Sequence, residues 1–192
     1  MAHDTTPAAG PPEKFQSARR DFISLWGQMA EHWGINRTMA QIHALLMVSP
    51  QPLSAEDVMA ELRISRGNVS MNLRELINWG IVRRSSVPGD RRDFFSSEDD
   101  VWNIFFQIIR ERKKRELDPL LNRLNQCADQ ARHGAVAQTH QPAVDAFCNR
   151  LAELQGFFQT VNRLVEALVG NEPQHLATAV KQMDNLLKEM RP

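Results

Sequence analysis

Hydrophobic residues recur every three or four positions along most of this chain, which is the period of an amphipathic α-helix. One stretch interrupts the pattern, because residues 81–95 combine β-prone residues with the turn sequence Pro88-Gly89-Asp90. Such a combination is typical of a short β-hairpin. The sequence therefore predicts a mainly α protein with one small hairpin.

The first helical pattern covers residues 14–33 and follows residues 1–12, whose content of Pro, Ala and Thr predicts a disordered tail. Its apolar positions form one stripe: Phe15, Ala18, Phe22, Leu25, Met29 and Trp33. This stripe can pack against its own chain or against a second chain, and the pattern leaves both possibilities open. Asn36 can cap the next helix, which is predicted over residues 37–48.

Two further helices are predicted on either side of a tight turn. Ser54 and Asp57 resemble a capping box, with Asp in place of Glu, for a helix over residues 55–62. Ser65 is a natural N-cap for the helix after the turn, and Gly80 is the residue type preferred just past a helix end. The stretch thus predicts a helix-turn-helix.

The second helix of this pair has two chemically different faces. One face is apolar and carries Val69, Leu73, Leu76 and Ile77. The other face, toward the N-terminal end, carries Arg66, Asn68, Ser70, Met71 and Arg74. Asn, Ser and Arg side chains can bond base edges, and a recognition helix presents its N-terminal turns to the major groove. This face is therefore the predicted DNA-reading surface.

The predicted hairpin lies directly after this helix and carries arginines on its first strand and at its tip. A wing arginine beside a recognition helix would reach phosphates or the narrow minor groove. The unit is therefore predicted to be a winged helix-turn-helix. Its expected DNA contacts are Ser65, Arg66, Asn68, Ser70, Met71, Arg74, Arg84, Arg91 and Arg92.

This part of the chain resembles the MarR superfamily of bacterial winged-helix regulators, and most closely its GbsR-like branch. The resemblance covers about a third of the chain and is carried by Gly34 to Thr38, Ser65 to Leu73, Trp79 to Arg84 and Val87 to Phe95. The Asp90-x-Arg92 pair and the glycine after the recognition helix are features of that superfamily, whereas Met71 stands where many members carry Arg. The resemblance implies a dimer built from terminal helices, and many members bind a small effector.

Beyond the hairpin every pattern is helical. Trp102, Phe105, Phe106 and Ile109 begin an apolar stripe, and the basic run 110–115 that follows is either a solvated helix face or an extra phosphate contact. Asp118-Pro119 predicts a kink or a fresh helix with Asp118 as its N-cap. After a polar connection over residues 132–142, residues 144–168 predict a long helix with a coiled-coil-like seam, and residues 176–190 predict a last helix.

These helices carry more apolar stripes than one small winged domain can cover, so they predict a C2 homodimer. The expected organisation is a disordered tail over 1–12, an N-terminal helix for dimerisation or core over 13–34, a winged helix-turn-helix DNA-binding domain over 35–98, and a helical dimerisation region over 99–192.

Charge is distributed unevenly along the chain. The 23 basic and 23 acidic residues cancel overall, yet seven arginines between Leu62 and Arg92 stand against only Glu75 and Asp90. A neutral protein with one basic region is suited to specific, salt-sensitive DNA binding.

No apolar run approaches the ~20 residues that span a bilayer, and the N-terminus lacks the pattern of a secretory signal, so a cytoplasmic location is expected.

The leading prediction is a sequence-specific transcriptional regulator, most simply a repressor, that binds a pseudo-palindromic operator in double-stranded DNA as a homodimer. The alternative is a protein-interaction module on a winged-helix scaffold without specific DNA binding, which would have no use for the basic hairpin tip.

No nucleophile–base pair, phosphate-binding glycine loop or metal-ligand cluster stands out, and Cys127 and Cys148 lack metal-ligand spacing. No enzyme activity, cofactor or metal is therefore expected.

A small effector is a further hypothesis. Aromatic faces can hold a quaternary ammonium through cation–π attraction, and some GbsR-type regulators respond to choline-like osmolytes. The competing interpretation is that these aromatic residues are core residues at helical spacing. The principal candidates are Trp26, Trp33, Trp102, Phe105 and Phe106.

Overall fold

The computed structural model of the protein describes residues 12–133, 141–170 and 188. These residues belong to two compact units that divide between Asp99 and Asp100. The predicted tail except Pro12, most of the predicted polar connection and the predicted last helix except Lys188 lie outside the described residues.

The first unit begins with two packed helices, α1 (Glu13–His32) and α2 (Arg37–Met47). Asn36 caps α2 as predicted, because its side chain accepts a hydrogen bond from the Met39 N–H at 3.0 Å. The two helices approach closely at Gly27, where an added Cβ would lie 2.7 Å from Cγ of Gln41. A larger residue at this position would have to displace the Gln41 side chain.

The predicted helix-turn-helix consists of α3 (Ala55–Leu62) and α4 (Arg66–Asn78). The capping box before α3 is confirmed: the Asp57 N–H donates to Ser54 Oγ at 3.2 Å, and the Ser54 N–H donates to the Asp57 carboxylate at 2.8 Å. The hydrogen bonds from Ser54 lower the pKa of Asp57. Arg63, at φ 53°, ends α3 in the left-handed region and turns the chain into the next cap.

The sheet has three antiparallel strands rather than the two that the sequence predicted. They are β1 (Leu53–Ser54), β2 (Val82–Ser86) and β3 (Asp93–Ser97), in the order β1-β3-β2. The hairpin pairs β2 with β3, and β1 covers the other edge of β3 through Leu53 opposite Phe95. A two-residue strand is too short to show a periodic pattern in the sequence. The strand β1 forms because an edge of β3, far away in the sequence, is available to pair with it.

The core of the first unit lies between the helices and the sheet. The apolar side of α4 is buried as predicted, with Val69, Leu73 and Leu76 each at most 2% exposed. The core also encloses His43, whose ring Nε2 lies 3.2 Å from Ser97 Oγ. Burial lowers the pKa of His43 to about 4, so the ring is neutral near pH 7.

The described part of the second unit comprises α5 (Val101–Arg112), a π-helical segment (Lys113–Leu117), α6 (Asp118–His133) and α7 (Gln141–Gly170). Asp100 caps α5 by accepting from the Trp102 and Asn103 N–H groups. Of the stripe predicted for α5, Phe106 is buried but Phe105 is 44% exposed, and Ile104 is buried instead.

The prediction that Asp118 is an N-cap was wrong. Its φ of −63° and ψ of −44° are helical, and the chain passes from α5 into α6 without leaving a helical conformation. Pro119 has no N–H for the usual bond four residues back, and a wider π-turn accommodates this loss. The Asp118 carboxylate instead accepts a hydrogen bond from Lys113 Nζ at 2.9 Å.

Candidate nucleic-acid interface

The N-terminal turns of α4 form an exposed polar surface. Ser65 caps the helix by accepting from the Asn68 N–H at 3.3 Å, which leaves the first turn pointing into solvent. Arg66, Ser70, Met71 and Arg74 are exposed, and Met71 is 63% exposed. Because the opposite side of α4 is buried, this polar face is the one that a DNA groove can reach.

Asn68 is the one predicted base-reading residue of α4 that is half-buried. Its side-chain oxygen accepts a hydrogen bond from the Asn72 amide at 2.6 Å, and its backbone carbonyl accepts from the same amide at 2.8 Å. Asn72 itself is buried among the apolar residues of α4. Sequence reasoning missed Asn72, although a polar residue on an apolar helix face is a visible signal that the side chain has a specific partner.

Several predicted DNA-contacting arginines are already paired with carboxylates. Arg66 lies 3.0 Å from Glu56 of α3, and Arg84 lies 2.8 Å from Asp93 across the hairpin. These arginine side chains remain 74% and 62% exposed. Surface ion pairs of this kind contribute little to stability, so a phosphate can replace the carboxylate partner at small cost.

Arg92 is held inside the wing by Asp90. The Asp90 carboxylate accepts from the backbone N–H, Nε and a terminal nitrogen of Arg92, at 2.9, 3.1 and 2.7 Å. These hydrogen bonds lower the pKa of Asp90 to about 2 and raise the pKa of Arg92. The guanidinium also lies 5.2 Å from the centre of the Phe94 ring. This pair fixes the hairpin tip, while the neighbouring Arg91 is exposed.

A sequence model of the MarR family, MarR_2, matches residues 33–93. The matched range runs from the end of α1 through α2, α3 and α4 to the first residue of β3. Residues 33–93 are thus similar to the MarR family.

Two transcriptional regulators are also similar to this chain. HTH-type transcriptional regulator MmpR5 of Mycobacterium tuberculosis is 33% identical over 76 residues, which are 39% of this chain but only 46% of that protein. HTH-type transcriptional repressor OpcR of Bacillus subtilis is 19% identical over 177 residues, covering 89% of this chain and 95% of the relative. The chain is thus similar to one regulator over 76 residues and to another over nearly its whole length.

A solved structure shows the same fold. The crystal structure of a transcriptional regulator superposes with a TM-score of 0.53 at 23% identity, covering 80% of this chain and 96% of that one. The mainly helical architecture with a small antiparallel sheet, predicted from the sequence, is therefore confirmed.

The aromatic residues predicted to bind an effector divide between the two units. In the first unit, Trp26 packs between Phe22 and His43, with ring centres 5.7 and 6.5 Å apart, while Trp33 is 51% exposed at the end of α1. In the second unit, Phe106 contacts both Trp102 and Phe105. The contacts of Trp26 and Phe106 are those of core residues, and the effector site stays a prediction.

The basic run at residues 110–115 is engaged within the second unit. Arg112 pairs with Glu116 at 3.0 Å, Lys113 with both Asp118 and Glu166, and Lys114 with Glu111. These ion pairs favour the solvated-helix interpretation over an extra phosphate contact.

Metal-ligand clusters and membrane-spanning helices are both absent from the described part of the chain. No group of three or more His, Cys, Asp or Glu side chains there could hold a metal ion. No helix in the same residues is long and apolar enough to cross a membrane.

Proposed function

We propose that the protein is a sequence-specific DNA-binding transcriptional regulator, most simply a repressor that blocks a promoter by occupying it. The main observation behind this proposal is that one MarR-type unit exposes two features side by side in sequence. They are the polar N-terminal turns of α4 and the arginine-bearing hairpin that follows α4. A full-length relative that is named a transcriptional repressor supports the same function. A protein-interaction module without DNA binding is not favoured by any of these observations.

The contacts divide into base-reading and phosphate-binding groups. Asn68, Ser70, Met71 and Arg74 would face the major groove, because they lie on the exposed N-terminal side of α4. Arg91 would enter the minor groove, and Ser65, Arg66, Arg84 and Arg92 would contact or support the phosphate backbone. Replacing Arg74 with Ala should therefore relax the preference at one base pair, at a cost of ~1–3 kcal/mol if the contact is bidentate.

A homodimer would place two recognition helices about one DNA turn apart, ~34–36 Å, on a pseudo-palindromic operator. Large apolar residues outside the winged helix support this assembly. They are exposed on α1 at Phe15, Leu25 and Trp33, and on α7 at Phe147, Leu154, Phe157 and Leu164. Exposed apolar stripes of this length are unusual for a monomer and typical of an interface.

The GbsR-like branch and a small-molecule effector complete the proposal. The branch is supported by the segments Trp79 to Arg84 and Val87 to Phe95. Isothermal titration with choline and glycine betaine, followed by operator binding with and without each compound, tests the effector. Binding that leaves operator affinity unchanged would contradict a regulatory role for these compounds.

Fluorescence anisotropy on the upstream DNA of the gene tests the main proposal. The purified protein is titrated against the upstream duplex and a scrambled duplex over a salt series. We expect tight binding to the upstream duplex alone, with an affinity that falls steeply as salt increases. Equal affinity for both duplexes would contradict sequence specificity, and no binding at any salt concentration would contradict DNA binding.

A further inference from the structure

Asn72 is a buried polar residue in a helix that otherwise buries apolar side chains. It is 4% exposed and shares its side of α4 with Val69, Leu73 and Leu76. An amide in such a place destabilises the fold unless its polar atoms are hydrogen-bonded. Its amino group meets this requirement by donating to two acceptors of Asn68, the backbone carbonyl at 2.8 Å and the side-chain oxygen at 2.6 Å.

This arrangement determines the orientation of both amides. A backbone carbonyl can only accept, so the Asn72 atom that faces the Asn68 carbonyl must be the amino nitrogen. The same nitrogen lies 2.6 Å from one terminal atom of the Asn68 side chain. That atom must therefore be the acceptor, Oδ1, because two amino groups would not approach each other so closely.

The consequence for Asn68 is that its oxygen faces the protein and its amino group faces outward. Asn68 is the third residue of α4 and half-buried, with its backbone N–H already donating to Ser65 Oγ. Among the described residues, none accepts a hydrogen bond from its side-chain amino group. A base edge approaching the first turn of α4 would thus meet a hydrogen-bond donor.

We propose that Asn72 is a positioning residue that sets the base preference of Asn68, an inference that rests on the proposed DNA-binding function. A freely turning asparagine reads adenine by donating to N7 and accepting from the N6 amino group. With its oxygen turned to Asn72, Asn68 offers only donors. Guanine presents two acceptors, N7 and O6, in the major groove, so the position read by Asn68 is guanine.

The first experiment is a selection from a randomised duplex library with the full-length protein. Comparing wild type with Asn68→Ala identifies the base pair that depends on Asn68. We expect guanine at that position for wild type and a relaxed preference for Asn68→Ala. Selection of an A·T pair at this position by wild type, in either orientation, would overturn the inference.

The second experiment replaces Asn72 with Leu, which has a similar volume but cannot donate. Asn68 is then free to turn, and we expect the guanine-to-adenine affinity ratio at its base pair to fall about tenfold, with the other positions unchanged. Asn78→Leu is the matched control, since Asn78 is an exposed residue of the same helix. If Asn72→Leu weakens binding to all sequences equally and leaves this ratio intact, Asn72 is only structural.

The third experiment uses no Asn72 variant, so its outcome does not depend on whether such a variant folds. Substituting 7-deazaguanine at the identified position removes the N7 acceptor. We expect the affinity of wild type to fall about fivefold, the value of one hydrogen bond, and that of Asn68→Ala to stay unchanged. An equal effect on both proteins would overturn the inference. Failure of wild type to select any sequence would instead overturn the proposed function itself.

Discussion

The arginines of the winged helix differ in the partners available to them. Arg66, Arg83, Arg84 and Arg92 each form an ion pair within the first unit. Arg91, by contrast, forms no ion pair with any described residue, although it lies beside Arg92. A phosphate would have to displace a carboxylate from each paired arginine, whereas it could bind the Arg91 guanidinium without displacing one. We therefore expect Arg91 to contribute more to DNA affinity than its paired neighbours.

Replacing Arg91 with Ala should weaken binding to all duplexes to a similar degree. Because one cationic contact is lost, the slope of log affinity against log salt should become less steep by about one. Fluorescence anisotropy at several salt concentrations measures both quantities. The matched control is Arg20→Ala, which removes an exposed arginine from α1. Equal salt slopes for Arg91→Ala and wild type would show that Arg91 does not contact DNA.

His43 makes the stability of the first unit depend on pH. Its pKa in the folded protein is about 4, because burial disfavours the charged ring, against 6.5 as the ordinary value. The unfolded chain therefore binds the extra proton first as pH falls, and the folded state loses stability from about pH 6.5 down to about pH 4. Above about pH 6.5 the His43 ring is neutral in both the folded and the unfolded state, so burying it no longer lowers the stability of the first unit.

We expect the free energy of unfolding to decrease by about 2 kcal/mol between pH 7 and pH 5 through His43 alone. Urea denaturation at the two pH values measures the decrease. His43→Gln cannot titrate but can still bond Ser97, so its stability should change less over the same range. His32→Gln, an exposed control on α1, should behave like wild type. An identical pH dependence in His43→Gln would exclude His43 as the cause.

At the scale of elements, the wing depends on its turn. Gly89 occupies the left-handed region at φ 87°, and Asp90 binds Arg92 through both its backbone and its side chain. Because the pKa of Asp90 is lowered to about 2 by these bonds, the carboxylate stays charged throughout the physiological range. The pair thus acts as a clamp that restrains the hairpin tip.

Replacing Asp90 with Ala should weaken DNA binding even though it removes a negative charge. Loss of the clamp frees Arg92 and the tip, so ordering them on DNA costs conformational entropy. Asp21→Ala removes the same charge from α1 and is the matched control for the change in net charge. Anisotropy with the upstream duplex compares the three proteins. Tighter binding by Asp90→Ala would show that its charge matters more than the clamp.

At the scale of the whole molecule, α7 exposes large apolar residues that the proposed dimer would cover. Phe157 is 60% exposed and Leu164 is 61% exposed, although both lie within a regular 30-residue helix. Cys148 and Leu151 are buried on the same helix, so α7 already has one apolar side in use. Among the described residues of the second unit, these exposed side chains lie outside the buried core.

Replacing Phe157 with Glu should convert a dimer into a monomer. The side chain is exposed in the single chain, so the change should leave the fold intact but place a charge in the proposed interface. Light scattering coupled to size-exclusion chromatography measures the mass, and operator affinity should fall with it. Gln159→Glu, an exposed neighbour, adds the same charge as a control. A variant that remains dimeric would place the interface elsewhere.

Much of the fold could be predicted because its signals are local. Helix caps at Asn36, Ser54 and Ser65 are confirmed, since a capping side chain bonds a backbone group only two or three residues away. Gly80 follows the end of α4 at φ 72°, a conformation that glycine adopts without steric cost. The hairpin was likewise predicted from its turn residues, and the pairing of β2 with β3 confirms it.

The sequence by itself determined the helices, the hairpin and the apolar face of α4, because each depends on residues close together in the chain. Only the tertiary structure decided the third strand, the burial of His43 against Ser97 and the ion pair of Arg66 with Glu56. These features join residues whose separation in sequence carries no periodic signal. The same holds for the chemistry of the candidate interface: residue types predicted which side chains could meet DNA, but packing decided which of their polar atoms are already occupied.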